Sequence, residues 1–383
     1  MRLKQKLFIA VLGIVSLIDI PVSAQQKKKL VIDSLDGKFD VSNYLIDAHG
    51  FIPVPSVITE PSLGGFGLAV APVFLKKQSP LKNKDGSYQY IPPDITAALG
   101  GFTSNDTWFA GLFRSGTIRK YRVKYKLLSG YADVNISYYK TLALVGEQEF
   151  KFNLRKFPIY LSAIKQLGSS DWSMGLQYTY LNTKIALRSS EPLPSFVSEK
   201  EVNNNNSVVG YVAELDTRDN IFTPDNGVKF HFDFNWSSHI WGSDNNYSDL
   251  ASFVYWYKPL SKNWINGLRV ELQQAFNDPP FYFLPYVSMR GVPNARYQGK
   301  TTLLTEAEER WDIVPRWSLV FFGGVGKAFD KENTFSEVPT VWSMGTGFRY
   351  LFARKFKLRM GIDVAHGPDT WAYYIVFGSN WFR

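Results

Sequence analysis

The strongest constraint on this chain is a two-residue alternation of apolar and polar side chains, sustained over long runs and repeated from about residue 68 to the C-terminus. In one run Phe356, Leu358, Met360, Ile362 and Val364 are interleaved with Lys357, Arg359, Gly361, Asp363 and Ala365. A second sets Val228, Phe230, Phe232, Phe234 and Trp236 against Lys229, His231, Asp233 and Asn235; a third sets Trp172, Met174, Leu176, Tyr178 and Tyr180 against Ser173, Gly175, Gln177 and Thr179. Tyr121, Val123, Tyr125 and Leu127, opposed to Arg122, Lys124 and Lys126, make a fourth. Successive side chains of a strand point to opposite faces, so each run suits a strand with one apolar and one wet face. A soluble sandwich would alternate too, but its strands usually stop at about five or six residues, whereas a tilted strand crossing lipid needs about nine to eleven. These runs have the longer length, and many end in Trp, Tyr or Phe, where an interfacial girdle belongs. The expected fold is all-β, a transmembrane antiparallel β-barrel.

Composition agrees once the alternation is known. After residue 24 nothing approaches the roughly 18 consecutive apolar residues of a membrane helix, and mean hydropathy is only -0.16. Yet 16% of residues are aromatic, as a barrel with lipid-facing and lumen-facing residues averaged together would have. The net charge of +9 falls to +7 when three basic residues and one acidic residue of the leader are set aside, and the charges are dispersed. Dispersed charge suits a wet lumen and strand ends, so no nucleic-acid partner is expected.

Arg2, Lys4 and Lys6 precede an apolar stretch over 7–18 and then Val22, Ser23 and Ala24, the order of a cleavable export signal. Residues 1–24 are therefore expected to be a signal peptide, 25–63 a periplasmic segment acting as plug or strap, and 64–383 the barrel. The destination expected is the bacterial outer membrane, with its lipid as the first partner. The chain has no cysteine, which excludes disulfides, thiolate metal sites and thiol nucleophiles.

Reading back from Arg383, strands are expected near 371–383, 356–366, 341–353, 317–329 and 301–314, and before them near 263–276, 247–260, 227–241 and 205–217. A long insertion over 277–300 separates the two groups; Pro279, Pro280, Pro285 and Pro293 make it irregular backbone. The polar stretch 189–206 reads as a surface loop. Apolar parity flips between Leu127 and Val134 and again between Leu154 and Phe157, so each interval hides a turn or a β-bulge. Counting one as a turn gives about sixteen strands, with fourteen the alternative. Facing also predicts that Arg at lipid-facing Met360 costs more than Arg at lumenal Gly361.

Asp216, Thr217, Arg218 and Asp219, followed by Pro224, Asp225, Asn226 and Gly227, form a turn whose Asp-Asn-Gly supplies positive φ. This arrangement resembles the turn signature of the bacterial surface antigen family, the BamA/TamA superfamily of outer-membrane barrels. Met289, Arg290 and Gly291, ahead of Tyr297 and Gly299, are similar to that family's Arg-Gly tip of the long loop before the last five strands. Glu308 and Arg310 resemble its Glu-x-Arg strand pattern. The resemblance implies a loop folded into the lumen with its Arg paired to acids on the inner wall. Alternation puts Glu306, Glu308, Arg310 and Asp312 on the polar face, and Glu308 is the expected partner of Arg290. Where the family carries Asp-x-Gly on the next strand, Phe322 and Gly326 are kept but Gly324 stands in place of Asp. The chain ends Trp381, Phe382, Arg383, close to an aromatic-terminated assembly signal. About 40 residues between Ala24 and the first expected strand are too few for a POTRA domain, so a member lacking them is expected.

Only His49, His231, His239 and His366 occur, none with metal-ligand spacing, and no Gly-x-Ser-x-Gly elbow is present. No active site, metal or cofactor is assigned; His231 beside Asp233 reads as a lumenal structural residue. Three functions follow in order: outer-membrane biogenesis or transport with outer-membrane or periplasmic partner subunits; a passive pore gated by its long loop; and, last, a barrel-embedded hydrolase.

Overall fold

The computed structural model describes residues 31–47, 51–58, 60–76, 78–82, 86, 88–89, 91–142, 146–188, 192–194 and 196–381. The expected signal peptide at 1–24 lies outside them. Sixteen antiparallel strands follow one another round a single sheet. They are β1 (Phe51–Ile58), β2 (Gly67–Lys76), β3 (Asp94–Thr103), β4 (Trp108–Ile118), β5 (Val123–Leu142), β6 (Gly146–Gln166), β7 (Trp172–Leu187) and β8 (Asn203–Asp216), then β9 (Gly227–Ser237), β10 (Tyr247–Ser261), β11 (Trp264–Asn277), β12 (Thr301–Val314), β13 (Trp317–Phe329), β14 (Val341–Ala353), β15 (Leu358–His366) and β16 (Trp371–Phe377). Each pairs only with its chain neighbours, so the sheet is a run of hairpins that curls into a nearly closed barrel. No helix among the described residues is long and apolar enough to cross a membrane. A short helix, α1 (Ser42–Asp47), precedes β1.

The alternation read from the sequence becomes an outside and an inside. Leu112, Leu176, Phe321, Phe348 and Ile362 point out and are exposed, while Glu306, Arg349 and Asp363, of opposite parity, are buried in the lumen. Aromatic clusters ring both ends of this apolar face: Trp317 meets Tyr350 edge-on at 4.9 Å and Trp264 lies tilted against Trp311 at 5.9 Å at one end, and Trp236 meets Trp241 at 5.8 Å at the other. Amphipathic rings of this kind settle at headgroup level.

The two parity flips are neither turns nor bulges. The β5–β6 and β6–β7 registers run without a shift through both intervals. What changes is the medium. Beyond the lipid band the outward face carries Asp133, Asn135, Asn153 and Arg155, with Asn153 bonded to Asn135 at 2.9 Å and Arg155 3.5 Å from Asp133. The inward face there carries Val134, Ile136, Tyr138, Phe152 and Leu154, packed on Phe196, Val197 and Phe281 from two loops. One pleat thus presents its apolar face to lipid in the membrane and to its own loops above it.

Other boundaries also moved. The sheet begins at Phe51 instead of 64, so part of the expected periplasmic segment is the first barrel strand. Asn203 to Asn206, expected in a loop, pair with β7, where Asn205 accepts from Tyr180 at 3.0 Å and Asn182 at 2.9 Å. The strand expected over 227–241 stops at Ser237, where Ser238 caps a tight turn. The strand expected to reach 383 stops at Phe377, because Gly378 takes φ +77° and turns the chain inward. Gly361 does face the lumen, but a Cβ there would lie 1.7 Å from the Phe348 carbonyl oxygen, so Arg at this position is not the mild change expected.

Candidate functional site

The connection between β11 and β12 folds back into the barrel. Its limbs are drawn together by Val287 donating to the Tyr297 carbonyl at 3.0 Å and Gly299 donating to that of Pro285 at 3.1 Å. Val287, Met289 and Val292 are buried against Leu304 of β12 and Val341 of β14. Gly291 has φ +80°, and a Cβ on it would meet the Gly367 nitrogen and the His366 carbonyl carbon at 3.0 Å. A side chain here would therefore push the tip off the wall; glycine lets the backbone lie against it.

That seating delivers Arg290, 3% exposed, into a cage of acids. Its Nε and Nη2 donate to Glu306 at 3.1 and 2.9 Å, and its Nη1 donates to Asp363 at 2.9 Å. Glu308, the expected partner, does lie 2.8 Å from Nη1, but as an ion contact without an aligned hydrogen bond. The guanidinium carbon sits 3.4 Å from the Phe322 ring centre. Burial alone would depress this guanidinium, yet Glu306, Glu308 and Asp363 outweigh it and hold its pKa above the ordinary arginine value. The acids are themselves held: Asp363 by Arg349 at 2.5 and 3.0 Å, Glu306 by Arg269 at 3.1 Å and by the Trp381 indole at 2.9 Å. Buried charges persist only when paired on every side in this way.

Sequence parity had placed Glu306 and Asp363 on polar faces, but nothing in the one-dimensional pattern chose them over Glu308. Asp363 fills the place left by Gly324: the carboxylate comes from β15 instead of β13. Tyr374, which accepts from the Gly291 amide at 2.9 Å, carried no signal at all, and Trp381 was read as part of a terminal assembly signal, not as a partner of Glu306.

The second motif lies at the other mouth. Asp216 accepts two bonds from Arg218, each 2.8 Å, and Asp219 accepts from the amides of Asp225 and Asn226 at 2.9 and 3.2 Å. Gly227, at φ +113°, lies so close to the Thr217 backbone that a Cβ would not fit. The turn then reaches across the opening. Arg310 bonds the Pro224 carbonyl at 3.3 Å and pairs with Asp225, Lys357 holds Asp219 and Asp225 at 2.6 and 2.8 Å, and Ser379 donates to the Phe222 carbonyl at 2.6 Å. Two of the predicted site groups, Arg310 and the Asp216 to Gly227 turn, therefore meet each other, while Arg290 and Gly291 form a separate lock deeper in the lumen. Asp312 contacts Arg310 at 3.2 Å and Arg359 at 3.3 Å.

These features define a sixteen-stranded membrane barrel whose lumen is filled by its own loop, turn and C-terminal residues. Residues 97–282 match the Omp85 superfamily domain. Among solved structures the chain is similar to BamA from Haemophilus ducreyi lacking POTRA domains 1–3, with TM-score 0.56 and 12% identity over 94% of this chain and 82% of that one. It is similar also to CdiB from Escherichia coli, TM-score 0.58 and 11% identity over 85% of this chain, and to CdiB from Acinetobacter baumannii, TM-score 0.57 and 10% identity over 86%. It spans 62% and 59% of those two chains. At such identities the likeness is one of fold. No curated protein matches it in sequence.

Proposed function

We propose that this barrel works in outer-membrane biogenesis or transport, alongside partner subunits, and is not a passive pore. The observation that carries this reading is the Arg290 lock: three acids from two strands hold one loop residue inside the lumen. A static channel gains nothing from a buried charge cluster across its path, whereas a protein that changes state can use a few strong, removable contacts. The Omp85 domain match and the fold shared with BamA and CdiB support the same class. The outer membrane as destination rests on that class and on the export signal expected over 1–24.

Deletion in the native host, followed by quantification of outer-membrane proteins, lipopolysaccharide and secreted proteins, tests the reading. Loss of one of these classes, restored by the wild-type chain but not by Arg290→Ala, is expected. Unchanged envelopes together with a large, loop-independent conductance of the purified barrel would establish the pore instead.

A further inference from the structure

The segment that leads into the barrel carries an amphipathic turn of its own. The Asp33 amide donates to the Lys38 carbonyl at 2.9 Å, the Gly37 amide donates to that of Asp33 at 2.9 Å with φ +65°, and Ile32 bridges Phe39, so residues 32–39 close a tight hairpin. One side of this hairpin is ionic. Arg316, in the turn between β12 and β13, donates to Asp33, Asp36 and Asp40 at 2.6, 2.6 and 2.5 Å, and Arg354 donates to Asp33 at 2.5 Å. Asp33 and Asp40 are buried in that seat. The other side is apolar and open. Phe39, 52% exposed, lies 6.4 Å from Tyr350, whose hydroxyl donates to the Phe39 carbonyl at 2.8 Å, and Tyr350 in turn meets Trp317 of the aromatic girdle. Leu35, in the turn itself, is 76% exposed.

We propose that this hairpin is a foot set into the lipid leaflet at the end of the barrel where the chain enters, and not a plug in the lumen. Trp317 and Tyr350 mark the headgroup level on the outer wall, and Phe39 continues that girdle onto the hairpin. Val314 pairs with Trp317 across the β12–β13 turn, and both are exposed beside Arg316. Exposed apolar side chains gathered against an aromatic girdle are the contact face of an interfacial anchor. The ionic side fits the same place. Bare carboxylates are costly at a lipid boundary, and here Arg316 and Arg354 neutralise them from the barrel side. Lys38 is exposed, and its stem is long enough to lie along apolar surface while the ammonium reaches a headgroup phosphate. The ion pairs therefore act as a seat that aims Leu35 and Phe39 at the boundary between acyl chains and headgroups of a phospholipid leaflet. This rests only on the barrel spanning a bilayer, and not on the biogenesis or transport reading.

The chain has no native cysteine, so spin labels on Leu35→Cys and Phe39→Cys report the foot without background, with Ser336→Cys, in an exposed connection, as the aqueous reference. The protein is placed in nanodiscs of phosphatidylethanolamine and phosphatidylglycerol, where both faces meet added reagents. Molecular oxygen, which concentrates in lipid, should relax the labels at 35 and 39 several-fold more than a water-soluble nickel chelate does, and the order should reverse at 336. A chelate that reaches 35 and 39 as freely as 336 overturns the foot. A nitroxide can itself seek lipid, so an unlabelled variant supplies a second arm. Leu35→Gln with Phe39→Gln keeps every ion pair of the seat and should raise protease cleavage within 31–47 in the same nanodiscs by about tenfold, with heat-modifiable migration showing the barrel intact. Cleavage no faster than in the native chain also overturns the foot, because the ion pairs alone would then hold the segment.

Discussion

At the scale of single residues the energetics concentrate in Arg290. Removing one member of a buried, hydrogen-bonded charge cluster leaves the others unpaired, at a cost of about 3–5 kcal/mol. Arg290→Ala is expected to destabilise by that order and to raise protease cleavage near Asn294. Glu306→Gln should do nearly as much, since Glu306 also receives Arg269 and Trp381. Glu308→Gln should cost less, because its contact lacks an aligned hydrogen bond. Denaturant midpoints for the three variants check the order; Glu308→Gln matching Arg290→Ala would mean Glu308 is the main anchor after all. The prolines of 277–300 marked irregular backbone, and the Arg-Gly tip was legible through its resemblance to the loop motif of the surface antigen family. Its partners were not, since alternation gives a face but not which of several acids on that face is opposite the tip.

At the scale of elements, β15 tests the assignment of faces. Ile362 points outward at 41% exposure, so Ile362→Arg near mid-bilayer should cost about 2–4 kcal/mol. Stability measured by refolding into vesicles reads this directly, and a neutral outcome would invert the assigned faces. Strand existence was legible wherever one face met lipid and the other water over the whole length. It was misread in β5 and β6, where the medium changes partway and the apolar residues swap faces without any break in the pleat. It was missed in β1, where Pro53 and Pro55 look like loop residues and are tolerated only because their nitrogens face an unpaired edge.

The segment 31–47 has its own pH dependence. The Arg354 hydrogen bond to Asp33 and that of Arg316 to Asp36 hold both carboxyls below the usual aspartate value; for Asp40 burial opposes this and is outweighed by Ser42 and Arg316. Groups with depressed folded pKa stabilise fully above the unfolded value, about pH 4, and lose that contribution as pH falls through the folded values. Docking of the segment should therefore be flat from neutral pH to about pH 5 and fail only below about pH 4. Protease nicking within 31–47 across that range checks it; release near pH 6 to 7 would point to a histidine elsewhere.

At the scale of the whole molecule, sixteen strands joined hairpin to hairpin are expected to resist detergent until heated, so the unheated protein should migrate anomalously on gels. Its long loop is locked inside the membrane barrel by Arg290. The most direct test is labelling of intact cells with a membrane-impermeant maleimide after single replacements in a chain that has no native cysteine. A cysteine at Ser336, in the exposed β13–β14 connection, should label rapidly. One at Asn294, beside the lock, should label slowly, and Arg290→Ala should bring its rate up to that of the Ser336 site. Equal rapid labelling of both positions in the otherwise native chain would contradict the account, because it would put the loop outside the barrel.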